Sequence, residues 1–338
     1  MIVLLGASGY IGEAFAHELR QRGWPFLSLA RSQLDYTRFE LLRDCLRSVK
    51  PGLLINAAGH SGKPNVDACE TEKAETLLGN TLFPQMIAHA CLETGTPWGH
   101  VSSGCIYNGA RIVHNSAGRV EIDLNRPELR RLFAAHPECF HGFTEADDPN
   151  FSFRRPPCSF YSGSKALAEE AIRGIGRSYL WRLRIPFDEF DGPRNFLSKL
   201  QRYPKVYDNV NSLSHRGDFV RAALDLWERR APFGIYNLTN PGAVTARQVV
   251  EMIQRILKPN RRFEFWQNDE EFYRHAVKAP RSNCILDVSK LLLAGVEMRP
   301  VEEALEAALR NWRTTQREVG MLAAPAAESV EVANGHSQ

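Results

Sequence analysis

Tyr161 and Lys165 stand four residues apart in the segment FYSGSKALAEEAI. The apolar spacing of this segment predicts a helix over 161–174, from which the two side chains project on one face. Tyrosine, with an ordinary pKa of about 10, is a poor acid or base at neutral pH unless a neighbouring ammonium group stabilises its phenolate. Lys165 can supply that charge. Because such pairs also occur by chance on exposed helices, the meaning of this one depends on the elements around it.

The N-terminal segment LLGASGYIG is suited to holding a dinucleotide. Its glycines form the pattern G-x-x-G-x-x-G between a predicted strand and a predicted helix. Small residues are needed there because the backbone turns tightly and a pyrophosphate must reach the free N–H groups and positive dipole end of the helix. Besides Tyr161 and Lys165, the predicted cofactor-binding residues here and after a later strand are Gly6, Ser8, Gly9, Tyr10, Ile11, Gly12, Asn56, Ala57, Ala58 and Gly59.

The segment LARSQLD, at the end of the second predicted strand, bears on which dinucleotide is bound. An acidic residue is expected there in NAD-binding proteins, because it bonds the ribose hydroxyls. Arg31 and Ser32 occupy this place instead, and they suit a 2′-phosphate. The sequence therefore favours NADP (NADPH), with NAD as the alternative. A solvated surface arginine is the simpler explanation of Arg31.

Strand and helix patterns alternate along the first half of the chain and must position these residues. Amphipathic stretches separate apolar runs that are bounded by turn signals, and the runs lie at 2–5, 26–29, 53–56 and 99–102. Strand followed by helix, repeated, predicts the α/β class with a Rossmann-type, doubly wound parallel sheet.

Three parts of the chain are expected from the way this pattern changes. Residues 1–186 form the NADP-binding Rossmann domain. Beyond them the alternation loosens, so 187–317 are expected to form mainly a smaller substrate-binding lobe, interleaved with the last elements of the sheet. Residues 318–338 are rich in small and polar types with few large apolar ones, which predicts a disordered tail.

The glycine pattern, the Tyr–Lys pair and the segment LINAAG together resemble the extended short-chain dehydrogenase/reductase superfamily, whose members work on nucleotide sugars. Other segments are similar to the nucleotide-rhamnose synthases, which are 3,5-epimerase/4-reductases, and more distantly to dTDP-4-dehydrorhamnose reductase. These segments are KPNVDACETEK, GCIY, DDPNF, SFYSGSKA, LRIP, PRNFLSKLQRYPKV, GIYNLTNPGAV and APRSN. The resemblance implies NADPH-dependent reduction of a nucleotide-linked 4-keto-6-deoxyhexose, preceded by 3,5-epimerisation.

The resemblance also implies roles for individual residues. The serine of the superfamily's catalytic set corresponds to Ser103, with adjacent Ser102 as its rival. The epimerisation pair of the rhamnose synthases corresponds to Cys105 and Lys199. Such a pair is chemically reasonable, because inversion beside a carbonyl needs one group to remove a proton and another to return it on the opposite face. Alternatively, Cys105 is a small buried side chain and Lys199 binds a phosphate.

Further residues are predicted to bind ligands. Arg184, by its position after the sixth strand, is expected near the nicotinamide. Asn195 suits a sugar or its phosphates, although helix capping would also account for it. Asn80 is expected to brace the sheet. The complete set of predicted substrate-binding residues is Lys63, Asn65, Asn195, Arg202 and Arg281.

Residues 108–142 form a connection longer than the family normally has between its serine strand and its tyrosine helix. Because it begins at the substrate pocket, it is expected to act as a lid, fill an oligomer contact or alter which sugar fits. It contains His136, Cys139 and His141, which resemble metal ligands. A fourth ligand is not nearby in the sequence, so we predict no metal site.

Composition excludes several classes of function. The net charge of +3 is spread over mixed acids and bases, which does not suit nucleic-acid binding. The chain lacks an apolar stretch of membrane-spanning length. Seven irregularly spaced cysteines without a C-x-x-C pattern favour a reducing compartment. We expect a cytoplasmic protein whose partner is its nucleotide-sugar substrate, and which can form a homodimer.

Other functions are compatible with the same residues. Within the enzyme class, the alternatives are a reductase without epimerase activity and a reaction like that of GDP-fucose synthase. In a different class, the chain would be a non-catalytic, NADP-binding regulatory subunit. The Tyr–Lys pair argues against that class, because a binding module has no need for it.

Overall fold

The computed structural model describes residues 1–114 and 117–314. The strands are β1 (Ile2–Leu5), β2 (Phe26–Leu29), β3 (Leu53–Asn56), β4 (Trp98–Ser103), β5 (Ala110–His114), β6 (Ala117–Glu121), β7 (Phe140–His141), β8 (Ser178–Leu183), β9 (Pro186–Phe187), β10 (Lys205–Val206), β11 (Val210–Asn211), β12 (Ser214–His215), β13 (Gly234–Asn237), β14 (Val244–Thr245) and β15 (Glu264–Phe265).

The α-helices are α1 (Tyr10–Gln21), α2 (Phe39–Val49), α3 (Lys73–Leu77), α4 (Phe83–Thr94), α5 (Pro127–Ala135), α6 (Phe160–Ile172), α7 (Phe196–Arg202), α8 (Arg216–Glu228), α9 (Ala246–Leu257), α10 (Asp269–His275), α11 (Ser289–Leu293) and α12 (Val301–Arg310). A π-helix at Leu78–Leu82 joins α3 to α4, and short 3₁₀ turns lie at Val66–Glu70, Gly104–Ile106 and Pro137–Cys139.

The central sheet has six parallel strands in the order β13-β8-β4-β3-β1-β2. β1 pairs with β2 on one side and with β3 on the other, so the order reverses there. Doubly wound sheets bind ligands at such a switch point, beyond the carboxyl ends of the strands. The glycine segment follows β1 and the segment 56–59 begins at the end of β3, which brings both predicted cofactor segments to this point. The predicted fold class is confirmed.

Apolar side chains cover both faces of the sheet. On one face, Leu4 packs with Phe15 of α1 and Phe219 of α8. On the other, Val3 packs with Leu42 of α2 and Ile87 of α4. Val3 and Leu4 point to opposite sides because successive side chains of a strand alternate, so a strand buried on both faces must be apolar throughout.

A smaller lobe packs beside the carboxyl ends of the strands. Its core joins α7, α9 and α12, and includes Leu197, Val250 and Leu305. The chain builds part of this lobe and then returns to the central sheet through α8 and β13 before completing it. The expected interleaving is therefore present. The domain boundaries remain our prediction, and the predicted tail lies outside the described residues.

Residues 108–114 and 117–142 form strands and a helix rather than a loose loop. β5 pairs with β6 and β7 in a three-stranded antiparallel sheet. Ile112 and Phe133 of this segment pack in one cluster with Val210 and Ile285 of the smaller lobe. Burial against these distant residues stabilises the segment, which we name the insertion.

Residues 1–114 and 117–314 contain no helix whose length and apolar character would allow it to cross a bilayer. The same part of the chain contains no group of three or more His, Cys, Asp or Glu residues able to hold a metal ion.

Candidate active site

The glycine segment forms a close contact between β1, α1 and the segment after β3. Gly6 has a φ of 75°, where glycine is favoured. A Cβ at Gly6 would lie 2.6 Å from the backbone nitrogen of Ala58, and one at Gly12 would lie 2.0 Å from the carbonyl oxygen of Gly6. Gly9 precedes the first turn of α1, whose free N–H groups face the switch point. These residues fit a bound pyrophosphate.

Arg31 and Ser32 lie exposed in the turn after β2. Burial raises the pKa of nearby Tyr36, whereas the charge of Arg31 and a hydrogen bond with the Gly6 backbone lower it. Tyr36 is therefore close both to Arg31 and to the backbone of Gly6, which places Arg31 near the glycine segment. A cation at this place is available to a phosphate on the cofactor ribose.

A buried polar layer connects the segment 56–59 to Lys165. Asn56 accepts a hydrogen bond from the backbone of Ala58 at 3.0 Å, and its Nδ2 lies 3.0 Å from Nδ1 of His100. Burial and the charge of Lys165 hold the pKa of His100 well below its ordinary value, so its imidazole is neutral. A Cβ at Gly59 would lie 3.5 Å from Nζ of Lys165, which places the predicted cofactor segment directly against this lysine.

The two serines at the end of β4 face different surroundings. Ser103 hydrogen-bonds the hydroxyl of Tyr161 and thereby lowers its pKa. Ser102 donates to Glu169 at 2.5 Å, and Glu169 forms a fully buried ion pair with Arg182 at 2.7 Å. Adjacent residues of a strand point in opposite directions, which separates the two roles. Ser103 has the contact with Tyr161 that is expected of the catalytic serine. Ser102 instead hydrogen-bonds Glu169 of the buried ion pair.

Tyr161 is held in its protonated form. Burial raises the pKa of its phenol above the ordinary value, and neighbouring Cys105 raises it further, which together outweigh the effect of Ser103. We expected Lys165 to lower this pKa, but burial is the larger effect in this structure. A protonated phenol is the form that can donate a proton to a carbonyl oxygen.

Lys165 lies one turn along α6 from Tyr161 and is only 5% exposed. Burial lowers its pKa to about 8, against the opposing influence of Glu169 and Cys105. Its ammonium donates to the carbonyl oxygen of Val101 at 3.3 Å. At neutral pH Lys165 is therefore a buried cation. It lies on the same face of α6 as Tyr161 and next to the predicted cofactor segment.

Cys105 is in contact with a buried guanidinium. Arg184, 1% exposed, donates from Nη1 to Sγ of Cys105 at 3.3 Å. Its Nη2 donates to Asn211 Oδ1 and to the carbonyl oxygen of Ser282, both at 2.5 Å. That Arg184 lies beside the nicotinamide stays a prediction, and the contact that the structure gives it is with Cys105, the predicted epimerisation residue.

Lys199 projects from α7 into the same region. Burial lowers its pKa below the ordinary value, and the charges of Arg194 and Arg281 act in the same direction. A lysine whose pKa is lowered exchanges protons more readily near neutral pH. Its surroundings therefore suit proton transfer as well as phosphate binding.

One cavity of about 620 Å³ lies between the sheet and the smaller lobe and is lined by Tyr161, Cys105, Arg184 and Lys199. The cavity is large enough for a nucleotide-sized ligand. Its wall combines catalytic candidates, cations and aromatic rings, which include Tyr161, Cys105, Lys199, Arg184, Arg194, Arg281, Tyr203, Tyr207, Trp266 and Phe272.

Two of the predicted substrate-binding residues line this cavity. Asn65 accepts a hydrogen bond from the backbone of Asp67 at 2.8 Å. Arg281 binds both carboxylate oxygens of Asp67, at 2.7 and 2.9 Å. Asp67 thus fixes both side chains at the cavity wall. Lys63 is exposed and does not line the cavity.

Asn195 and Arg202 are placed outside the cavity, contrary to our expectation. Asn195 is fully buried, caps α7, and donates from Nδ2 to the Asp188 carboxylate and to the carbonyl oxygen of Phe190, both at 2.7 Å. Its amide is used by these contacts, so helix capping accounts for it. Arg202 is exposed and binds Asp191 at 2.6 Å.

Several cavity residues were not recognised in the sequence. Arg194 donates to Ser61 Oγ at 3.0 Å and to the carbonyl oxygen of Gly62 at 3.1 Å, next to Tyr161. The sequence signal that could have indicated Arg194 is its position beside Asn195 in the segment PRNF. The aromatic residues had no comparable signal, because they come from separate segments between 203 and 272.

The chain is similar in sequence to proteins that are named as rhamnose epimerases and reductases. Residues 1–129 match the family described as RmlD substrate binding domain. The chain is 31% identical over 304 residues to a bifunctional dTDP-4-dehydrorhamnose 3,5-epimerase/dTDP-4-dehydrorhamnose reductase of Arabidopsis thaliana, covering 90% of each sequence. It also matches trifunctional plant relatives, of which it spans about two fifths of the length (41%).

Solved structures share the fold. The L780 UDP-rhamnose synthase from Acanthamoeba polyphaga mimivirus superposes with a TM-score of 0.76 at 22% identity, over 92% of this chain and 98% of that one. A dTDP-4-dehydrorhamnose reductase from Bacillus anthracis, solved in complex with NADP, gives 0.70 at 18% identity, over 92% and 97%.

Proposed function

The chain belongs to the family of the bifunctional dTDP-4-dehydrorhamnose 3,5-epimerase/dTDP-4-dehydrorhamnose reductase, and we propose that it acts on a nucleotide-linked 4-keto-6-deoxyhexose. It inverts C3 and C5 of the sugar and then reduces the C4 carbonyl with NADPH. The chain is thus an oxidoreductase and isomerase of deoxysugar biosynthesis, of the extended short-chain dehydrogenase/reductase type.

The observation that carries this proposal is the presence of two sets of groups in one cavity. Tyr161, with Ser103 at its hydroxyl, can serve the carbonyl. Cys105 and Lys199 line the same cavity and can serve the carbons on either side of it. A single bound sugar can therefore meet both sets without leaving the site.

Epimerisation depends on the acidity of hydrogens next to the C4 carbonyl. In this proposal Cys105 takes a proton from one face of the ring, and the electron pair of the broken C–H bond moves onto the C4 oxygen. Tyr161 and Ser103 hydrogen-bond that oxygen as the negative charge develops. Lys199 then returns a proton to the carbon from the opposite face, which inverts its configuration.

Reduction uses the same carbonyl. Residues 6–12 and 56–59 hold the dinucleotide, with Arg31 at the ribose phosphate, which favours NADPH over NADH. When bound, NADPH supplies hydride chemistry at C4. Tyr161 donates its phenolic proton to the C4 oxygen, and Lys165 stabilises the negative charge that the phenol acquires. Burial keeps Tyr161 protonated for this step.

A substrate panel tests the proposal as a whole. The protein is incubated in D₂O with UDP- or dTDP-4-keto-6-deoxyglucose and with NADPH or NADH. We expect NADPH oxidation, and NMR of the product should show deuterium at C3 and C5. If no cofactor is oxidised with either nucleotide, the proposed reaction is wrong.

Replacement of Cys105 by alanine should separate the two reactions. We expect deuterium exchange at C3 and C5 to fall by about 100-fold, because the variant has no base on one face of the sugar. Reduction of an already epimerised substrate should persist, since Tyr161 and Lys165 are unchanged. Cys284→Ala is the matched control, because Cys284 is a buried thiol that bonds the Gly104 carbonyl oxygen at 3.4 Å. Full exchange in Cys105→Ala would exclude its role as the base.

Alanine at each of the two serines should give opposite results. Ser103→Ala removes a hydrogen bond to the reacting groups and should lower the rate of reduction by about 100-fold with little change in stability. Ser102→Ala removes one hydrogen bond from buried Glu169, which keeps its ion pair with Arg182, and should lower the free energy of unfolding by about 1–3 kcal/mol, with a nearly normal rate. Rates of NADPH oxidation and urea unfolding curves measure both effects. A larger loss of rate in Ser102→Ala would reverse the assignment.

The proposal includes a cytoplasmic location and a homodimer. Irregularly spaced cysteines support a reducing compartment. Leu78 and Leu82, 59% and 53% exposed, lie on the π-helix that packs beside α6 and offer apolar surface to a second copy. Light scattering on the purified protein distinguishes a dimer from a monomer, and a monomer at micromolar concentration would remove this part of the proposal.

A further inference from the structure

The insertion reaches one wall of the cavity through a hydrogen-bonded cluster. Asn125 donates from Nδ2 to Oδ1 of Asp269 at 2.8 Å and to the hydroxyl of Tyr207 at 3.3 Å. Tyr207 in turn donates to the same carboxylate oxygen at 3.1 Å. Arg130 of the insertion forms an ion pair with Asp208. The insertion therefore holds the segment around Tyr207 and the first residue of α10 at once.

Aromatic rings form the cavity side of this wall. Tyr207 stacks on Phe272 of α10, with ring centroids 3.8 Å apart and planes 2° from parallel. Trp266 lies against Phe272 at 6.2 Å. All three line the cavity, and Tyr207 and Phe272 depend on the segment and helix that Asn125 joins. We name Tyr207, Trp266 and Phe272 the aromatic wall.

Contacts along the cavity place the aromatic wall away from the reacting carbonyl. The charge of Arg194 lowers the pKa of Tyr161, and the charges of Arg194 and Arg281 lower the pKa of Lys199, so these residues are neighbours. The backbone of Arg281 bonds the hydroxyl of Tyr273 at 3.3 Å, and the ring of Tyr273 meets that of Tyr207 edge-on. A chain of neighbouring residues thus leads from Tyr161 through the cations to the aromatic wall.

This order matches the parts of a nucleotide sugar. If the sugar carbonyl lies at Tyr161, the diphosphate is placed beside Arg194, Lys199 and Arg281, because arginine and lysine bind phosphate oxygens. The base then reaches the aromatic wall, where flat rings can stack on it. Asn125 of the insertion contacts this far wall, whereas Asn108 and Gly109 at its start bond the backbone of Asn283. Through Asn125, the insertion is therefore connected to the nucleotide half of the substrate.

Resting on the proposed function, we propose that the insertion is a positioning element for the nucleotide. Asn125 orients Tyr207 and α10 so that the aromatic wall is preformed, and the insertion sets the affinity for the nucleotide with little influence on the chemistry at C4. This replaces our earlier expectations of a lid, an oligomer contact or a selector of the sugar with one defined role.

Nucleotide binding by variants tests this inference. Dissociation constants of UDP and dTDP are measured by calorimetry for the wild type and Asn125→Ala, together with KM and kcat for the keto sugar. We expect about tenfold weaker binding of the preferred nucleotide and an equal rise in KM, with kcat within about twofold of the wild type. Arg130→Ala removes the ion pair with Asp208, next to Tyr207, and should also weaken nucleotide binding.

Two controls show whether the effect travels through Tyr207. Arg119→Ala changes an exposed residue of the insertion that pairs with Glu121, and it should bind nucleotides like the wild type. Tyr207→Phe removes the hydroxyl that Asn125 bonds, so the double variant should lose less affinity than the product of the two single losses.

Several results would overturn the inference. These are unchanged nucleotide binding in both Asn125→Ala and Arg130→Ala, a fall in kcat at constant KM, or additive losses in the double variant. A wild type that binds neither UDP nor dTDP would also overturn it. Because binding is measured without turnover, a protein that binds a nucleotide but reduces no keto sugar defeats only the proposed function.

Discussion

Tyr161→Phe should lower the rate of reduction by about 10³-fold while the protein still binds NADPH. The substitution removes one oxygen and keeps the ring, so the packing of α6 is retained. The lost oxygen is the proton donor to C4, held protonated by burial and hydrogen-bonded to Ser103. Stopped-flow oxidation of NADPH measures the chemical step, and quenching of protein fluorescence measures cofactor binding.

Tyr107→Phe is the matched control for this substitution. Tyr107 is also buried, but its hydroxyl donates to the carbonyl oxygen of Asp147 at 2.6 Å, and its ring stacks on Phe143. Its loss should cost about 1 kcal/mol of stability and leave the rate near that of the wild type. If Tyr161→Phe reduced the substrate at more than a tenth of the wild-type rate, another group would have to supply the proton.

The central fold could be predicted because its signals are local. β1 and β3 are short apolar runs buried on both faces, and the helices beside them carry apolar stripes, so these elements can be recognised without knowledge of distant partners. Three of the four early strands have the predicted bounds, and β4 extends one residue further at each end. The insertion was missed as structure because its core is completed by Val210 and Ile285, far along the chain.

The candidate site was predictable where spacing alone fixes geometry. Tyr161 and Lys165 share a helix face whatever the rest of the chain does. The contact between Cys105 and Arg184 depends instead on strand register, because pairing of Ser103 with Leu183 brings the residues after β4 and β8 together. A sequence pattern does not contain that register. Asn195 shows a related limit, since capping and ligand binding use the same amide, and only its complete burial decides between them.

Lys165→Met should abolish reduction and yet stabilise the protein. Methionine has a similar length and no charge, so it can occupy the site of a lysine that is 5% exposed. The pKa of Lys165 is lowered from 10.5 to about 8, so its charge destabilises the folded state by about 1–3 kcal/mol at neutral pH. Urea unfolding of the cofactor-free protein measures the expected gain in the free energy of unfolding.

The dependence on pH gives this prediction a defined sign. The unfolded chain binds the lysine proton more tightly than the folded chain, so the cost of the charge is complete below pH 8 and declines as the pH rises from about 8 to 10.5. The advantage of Lys165→Met should shrink over the same interval. Lys165→Arg keeps a positive charge and should show no such gain. Equal stability of Lys165→Met and the wild type at pH 7 would mean that the buried ammonium is fully compensated, and that the fold gives up no stability to keep a cation beside Tyr161.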